Sequence, residues 1–191
     1  MTLAKVSREA LVAAALEVLA NDGVRGLTVR AVSQRAGCST TGIYTHFGGK
    51  QGLLDGMYID GYALLDASTP GQLSTDAGRD IVESLVLYRR FAVEHPALYL
   101  LMFASRAQGY VPSAEAADAA NASLAAFGTT VSRAVTAGAL DADPKEAAWH
   151  LWGAAHGYVM LELTGIEMAE GAGEAVVREG IGRMLRGYAA A

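Results

Sequence analysis

The chain has 191 residues, 52% of them hydrophobic and 18% charged, and a formal net charge of −5. This composition excludes a disordered chain, and no apolar run approaches the ~18 residues that a membrane span needs. A single cysteine, Cys38, excludes an internal disulfide and fits a reducing compartment.

The start, MTLAKVSREAL, turns amphipathic at once and lacks a signal-peptide core, so a cytoplasmic protein is expected. Charge is unevenly spread. Residues 1–50 hold six Lys/Arg against three acids, a net of +3, which leaves −8 on residues 51–191. The N-terminal part is therefore the end that can approach a polyanion, and the acidic remainder would be repelled from one.

Ser7 is a cap for a first helix over residues 8–21, with Ala10, Leu11, Ala14, Ala15, Val18 and Leu19 as its apolar stripe. Asn21-Asp22-Gly23 ends it, and Leu27 enters the core. Thr28 caps a second helix in which Val29, Val32, Ser33 and Ala36 share a face. Gly37 can take positive φ and close it. Ser39 is the expected cap of a third helix, Thr40 to Phe47, anchored by Ile43 and Phe47 four residues apart.

The other positions of that third helix are Thr40, Thr41, Gly42, Tyr44, Thr45 and His46, and no acid occurs between Asp22 and Asp55. Short hydroxyls, polar aromatic tips and backbone N–H groups suit phosphate oxygens and base edges. Lys50 opens a further helix, where its charge and free N–H groups can face a phosphate. The candidate DNA-binding residues are Thr28, Ser39, Thr40, Thr41, Gly42, Tyr44, Thr45, His46 and Lys50. The bland reading of the third helix is an ordinary amphipathic surface.

The run TVRAVSQRAGCSTTGIYTHFGGKQGLL, 28–54, resembles the N-terminal helix-turn-helix of the tetracycline-repressor (TetR) family. Ala36–Gly37 at the turn, Gly42-Ile43-Tyr44, and His46-Phe47-x-x-Lys50-x-x-Leu53 carry the resemblance, which spans about residues 7–54. It implies a homodimeric transcriptional regulator, usually a repressor, whose C-terminal domain often binds a small molecule. The expected partners are a pseudo-palindromic double-stranded operator, a second copy of the chain, and a small-molecule effector. The alternative is an effector-independent DNA-binding protein whose C-terminal domain only dimerises.

Helical periodicity continues to the end of the chain, so the expected class is all-α. The expected division is a helix-turn-helix domain at 1–49, a connecting helix at 50–67, and a helical effector-binding and dimerisation domain at 68–191. The connecting helix has Leu53, Leu54, Met57, Tyr58, Gly61 and Leu64/Leu65 on its apolar side, and residues 68–74 form a loop. Further helices are expected at 76–94, 97–104, 113–137, 144–164 and 174–188. His95-Pro96 separates the first two, Pro144 suits a first helical turn, and 109–113 and 165–173 are loops.

The 144–164 helix is apolar nearly all round, so it is either central or covered by a partner. Together with the last helix it is the expected dimer interface, with Gly153 and Gly157 allowing close approach; packing within one chain is the other reading. Trp152-x-x-x-His156-Gly157, and the run 88–99, resemble the C-terminal domain of one branch of the family, named for a Trp-His-Gly pattern.

Tyr88, Phe91, Tyr99, Met102, Phe103, Trp149, Trp152 and His156 are the candidate effector pocket, and their residue types suit a largely apolar ligand. They read equally as plain core. Cys38 is either a redox-sensitive thiol near a helix start or inert packing. His150 and His156 fall on different faces of one helix, and no ligand spacing suggests a metal. No nucleotide loop or nucleophile elbow is present, so neither catalytic residues nor a cofactor are expected.

Overall fold

The computed structural model describes residues 6–69, 74–166 and 173–189. Among them the chain forms α1 (Arg8–Gly26), α2 (Val29–Arg35), α3 (Thr41–Phe47), α4 (Lys50–Ser68), α5 (Ala77–Glu94), α6 (Pro96–Ala104), a 3-10 turn (Ser105–Gln108), α7 (Ala114–Thr136), α8 (Pro144–Leu163) and α9 (Gly173–Gly187), with no strand. The all-α expectation holds, and the helices fall within a few residues of their expected ends, save α1, which runs on past Gly23. The 3-10 turn was not expected. Parts of two expected loops, at 70–73 and 167–172, lie outside the described residues. Among the described residues no helix is long and apolar enough to cross a membrane.

Local chemistry sets several of these boundaries. Ser7 Oγ accepts from the Ala10 N–H at 3.2 Å, as an N-cap should. Asp143 caps α8 by accepting from the N–H groups of Lys145 and Glu146, with Pro144 in the first turn. The α1 helix does break at Gly23 (φ 65, ψ −173), but the chain then makes one more turn to Gly26 before Leu27 enters the core. Ala10, expected in the apolar stripe, is exposed, and the buried stripe is Leu11, Ala14, Ala15, Val18 and Leu19.

The chain divides into two compact units, Met1–Ala63 with His95–Ala120, and Leu64–Glu94 with Asn121–Ala191. In the first, α1 packs on α2 and α6, and Leu11, Leu27, Val32, Ile43, Leu53, Met57 and Tyr99 fill the core. A Cβ at Gly61 would stand 2.8 Å from Met102 Sδ, so glycine there lets α4 approach α6 closely. Tyr62, absent from the expected apolar side of α4, is buried and meets Phe103 edge-on at 5.9 Å.

In the second unit, α5 packs against α8 and α9 around Ile81, Leu85, Phe91, Leu151, Val159 and Ile181. Ion pairs ring this core: Arg89 with Glu162, Arg178 with Glu83, and Arg133 with the fully buried Asp80. The α8 helix buries Ala147, Ala148, Leu151, Ala155 and Val159, while Trp149, Gly153, Gly157 and Leu161 face outward.

Candidate nucleic-acid interface

The helix-turn-helix is built from short, locally capped pieces. Thr28 Oγ1 accepts from the Ala31 N–H at 3.1 Å and starts α2. Gly37 adopts φ 63 immediately after α2 and turns the chain. The expected cap at Ser39 does not form. Thr40 precedes α3 with helical backbone angles and no side-chain cap bond, and Ser39 contributes only its carbonyl, which accepts from the Gly42 N–H at 3.3 Å. Gly48, at φ 71, ends α3.

Ile43 is fully buried and seats α3 on the core. Thr41, Tyr44 and Thr45 are exposed on one side of α3, with Thr40, Ser39 and Thr28 also exposed beside it; Tyr44 keeps 59% of its surface open. The Thr45 hydroxyl donates to the Thr41 carbonyl at 2.8 Å, which uses its proton and leaves its oxygen as an acceptor. Around this face, residues 23–54 contain Arg25, Arg30, Arg35 and Lys50 and no acid. Arg35 is drawn toward Glu17 at 3.1 Å, an exposed pair that costs little to open.

Two of the expected contact residues have internal partners. His46 Nε2 donates to the Val6 carbonyl at 3.1 Å, and Lys50 Nζ donates to the Val24 carbonyl at 2.9 Å. Both are half-buried. Gly42 makes room for Val6: a Cβ there would lie 2.8 Å from Val6 Cγ1. Arg8 adds a further hold, with its guanidinium over the Phe47 ring and paired to Asp60. Sequence reasoning missed Val6 and Arg8 as supports of α3; the small residue at 42, in a helix otherwise free of glycine, was the one signal that something must pass close by.

Two family descriptions match the chain. "Bacterial regulatory proteins, tetR family" covers residues 11–57, and "Tetracyclin repressor-like, C-terminal domain" covers residues 81–185. The chain belongs to the TetR family. It is therefore a DNA-binding transcriptional regulator with a helix-turn-helix, not an enzyme, in a family whose members bind operator DNA as homodimers and are typically repressors. An uncharacterized HTH-type transcriptional regulator of Mycobacterium tuberculosis is 29% identical over 168 residues, 85% of this chain and 73% of that protein. The tetracycline repressor protein class C of Escherichia coli is 42% identical over 53 residues, 28% of this chain and 24% of that protein. A solved Rhodococcus sp. RHA1 protein of unknown function superposes with a TM-score of 0.83 at 26% identity, covering 96% of this chain and 95% of that one.

The residues expected to line an effector pocket in this TetR-family chain fall into two groups. Tyr99, Met102 and Phe103 belong to the first compact unit, where the Tyr99 and Phe103 rings meet at a tilt, 4.7 Å between centroids. Tyr88, Phe91, Trp149, Trp152 and His156 belong to the second. There the Tyr88 hydroxyl and His156 Nδ1 share a hydrogen bond at 3.1 Å, and the Trp152 ring lies 5.4 Å from that of His156. Burial pushes the His156 imidazole below its ordinary pKa. Trp149 is half exposed on α8. A cleft of about 470 Å³ in the first unit, between Val24, Lys50, Leu54 and Gln108, is lined by none of these residues.

Proposed function

We propose that this TetR-family protein is a repressor that grips a pseudo-palindromic operator through residues 28–50 of two copies and is released by a largely apolar small molecule. Residues 1–49 are the DNA-binding head, 50–67 the connecting helix, and 68–191 the effector-binding and dimerisation part, in a cytoplasmic protein. The C-terminal half is read as the Trp-His-Gly branch on Trp152-x-x-x-His156-Gly157. The observation that carries the DNA reading is the open face of Thr41, Tyr44 and Thr45 on α3, with Thr40 just before it, in a stretch of 32 residues, 23–54, without an acid.

Thr40, Thr41 and Thr45 are the base-reading candidates and Tyr44, Thr28 and Ser39 the backbone contacts, because the first turn of a recognition helix enters the major groove. Gly42 brings the α3 backbone close to its neighbour. Lys50 contributes to DNA binding with the donors left beside its carbonyl partner, since an ammonium has three, and His46 with its second ring nitrogen, Nδ1. Two α3 helices related by a two-fold axis would enter successive major grooves about 34 Å apart.

Pairing through α8 and α9 is supported by the outward glycines Gly153 and Gly157, where an added Cβ would meet nothing within 4 Å beyond the helix's own backbone, flanked by exposed Trp149 and Leu161. The aromatic group of Tyr88, Phe91, Trp149, Trp152 and His156 supports an apolar effector. Release from mostly bound to mostly free requires that effector to prefer one state by about 10⁴-fold, roughly 5.5 kcal/mol.

The deciding experiment is selection of a binding sequence from random DNA and from the DNA flanking the coding region, followed by a salt titration. Saturable, sequence-selective binding that weakens steeply with salt supports the reading; salt-sensitive binding without selectivity sinks it. A thermal-shift screen of apolar compounds then separates an effector-released repressor from a protein whose C-terminal part only dimerises.

A further inference from the structure

The break in α1 leaves a residue whose two backbone polar groups need outside help. Val24, immediately after Gly23, is buried, so its N–H and C=O both require partners. Both partners are side chains from distant parts of the chain. The Val24 N–H donates to Gln108 Oε1 at 3.1 Å, across 84 residues of sequence, and the Val24 carbonyl accepts from Lys50 Nζ at 2.9 Å. Gly23 itself is crowded by the same carboxamide, since a Cβ there would stand 3.0 Å from Gln108 Oε1.

Gln108 ends the 3-10 turn, and the residues after it are tied to α4. Tyr110 is buried and donates its hydroxyl to Asp55 Oδ1 at 2.6 Å. The Ser113 N–H donates to the same oxygen at 3.1 Å, and Gln51 Nε2 donates to the Val111 carbonyl at 3.0 Å. Burial first, and Asp55 second, push the Tyr110 phenol far above its ordinary pKa, so it remains a donor.

We infer that residues 105–113 form a strap that fixes both ends of the helix-turn-helix, with Gln108 and Tyr110 as positioning residues for DNA binding. Val24 lies four residues before the Thr28 cap of α2, and Lys50 opens α4 just after α3. The strap holds the first through Gln108 and the first turns of α4 through Tyr110. When the strap loosens, the head samples other orientations, and DNA affinity falls by the fraction of time spent away from the competent one. Residues that touch no DNA thus set its affinity. This inference rests on the DNA-binding reading above.

Three full-length variants test it. Gln108→Leu keeps the volume and removes the acceptor, Gln108→Glu keeps an acceptor at the same reach, and Tyr110→Phe keeps the ring and removes the donor. Each is titrated with the DNA sequence that the wild-type protein selects, its melting temperature is taken, and exchange of the Val24 amide is followed. The expected result is about fivefold weaker specific binding for Gln108→Leu and for Tyr110→Phe, the scale of one lost hydrogen bond. The salt slope stays unchanged, since no phosphate contact is removed. Gln108→Glu keeps most of the affinity, and Val24 exchanges faster only in the leucine and phenylalanine variants.

The Gln108→Leu/Tyr110→Phe double variant should lose less than the product of the single losses, because either change already loosens the strap. Unaltered binding in Gln108→Leu, equal losses in the leucine and glutamate variants, or a fully multiplicative double variant overturns the strap. The glutamate variant guards against a general folding defect, because it changes the same site. If the wild-type protein selects no DNA, the regulator reading fails instead, and Val24 exchange alone then decides whether the strap exists.

Discussion

The guanidinium of Arg8 stands over the Phe47 ring, 5.4 Å from its centroid. The same side chain reaches Asp60 with Nη1 at 2.8 Å, and both interactions hold its charge, with a pKa raised by Asp60. One residue at the start of α1 therefore touches the end of α3 and the middle of α4. An exposed cation–π contact contributes roughly 0.5–1 kcal/mol and an exposed ion pair less than about 1 kcal/mol. Arg8→Ala is expected to lower stability to urea by about 1 kcal/mol. Arg8→Lys should recover part of this, because lysine keeps the pair with Asp60 but lacks the planar stack. Equal losses for the two variants would mean that the charge contributes nothing and the stack is all that matters.

Tyr44 is the large side chain of α3 that the fold leaves unused. With 59% of its surface open, its removal should not disturb folding. Tyr44→Phe deletes a single hydroxyl. If that hydroxyl donates to a phosphate, binding to operator and to scrambled DNA should weaken alike, by about tenfold or somewhat more, the worth of one charge-assisted hydrogen bond. The salt slope should hold, as no cation is lost. A loss confined to operator DNA would instead make Tyr44 a reader of bases.

Much of this fold could be read locally. Ser7, Thr28 and Pro144 mark helix starts through contacts three residues long or shorter, and the stripe Leu11, Ala15, Val18 repeats with the helix. The outward side of α3 was legible from Ile43 and Phe47, four residues apart, of which Ile43 is fully buried. What escaped was long-range. Nothing near Gln108 signals that its carboxamide will meet Val24, and nothing near Val6 signals His46. An all-apolar helix such as α8 hides its own orientation, so Trp149 and Leu151 look alike in sequence although one is half exposed and the other buried. The proposed pocket residues were grouped by chemistry, and composition carries no information on which compact unit each one joins.

His156 gives the second unit a pH response of definite sign. Burial lowers its pKa below the ordinary 6.5. As pH falls, the unfolded chain takes up this proton before the folded one does, so stability rises with pH across the window between the two values. The His156 contribution is complete above about 6.5, is lost progressively below it, and stops changing beneath the lowered folded value. His156→Gln keeps a partner for Tyr88 and cannot titrate. Urea midpoints followed from about pH 7.5 to about pH 5 should fall more steeply in the wild type than in the variant. Parallel curves would assign the acid sensitivity to other groups.

Gly153 and Gly157 offer a test in which the two readings of α8 predict opposite signs. In a single chain a Cβ at either glycine would meet nothing within 4 Å beyond the helix's own backbone. Alanine there would only improve helix propensity, raising stability by about 0.8–1.0 kcal/mol at each site. If α8 instead lies against its symmetry mate, the same methyl groups push two helices apart at their closest approach, and dimerisation weakens. The double variant Gly153→Ala/Gly157→Ala should then shift sedimentation toward monomer at micromolar concentration and weaken operator binding, because one head alone meets one half-site. A double variant that melts higher and stays dimeric would remove α8 from the interface and leave its exposed Trp149 and Leu161 to another role.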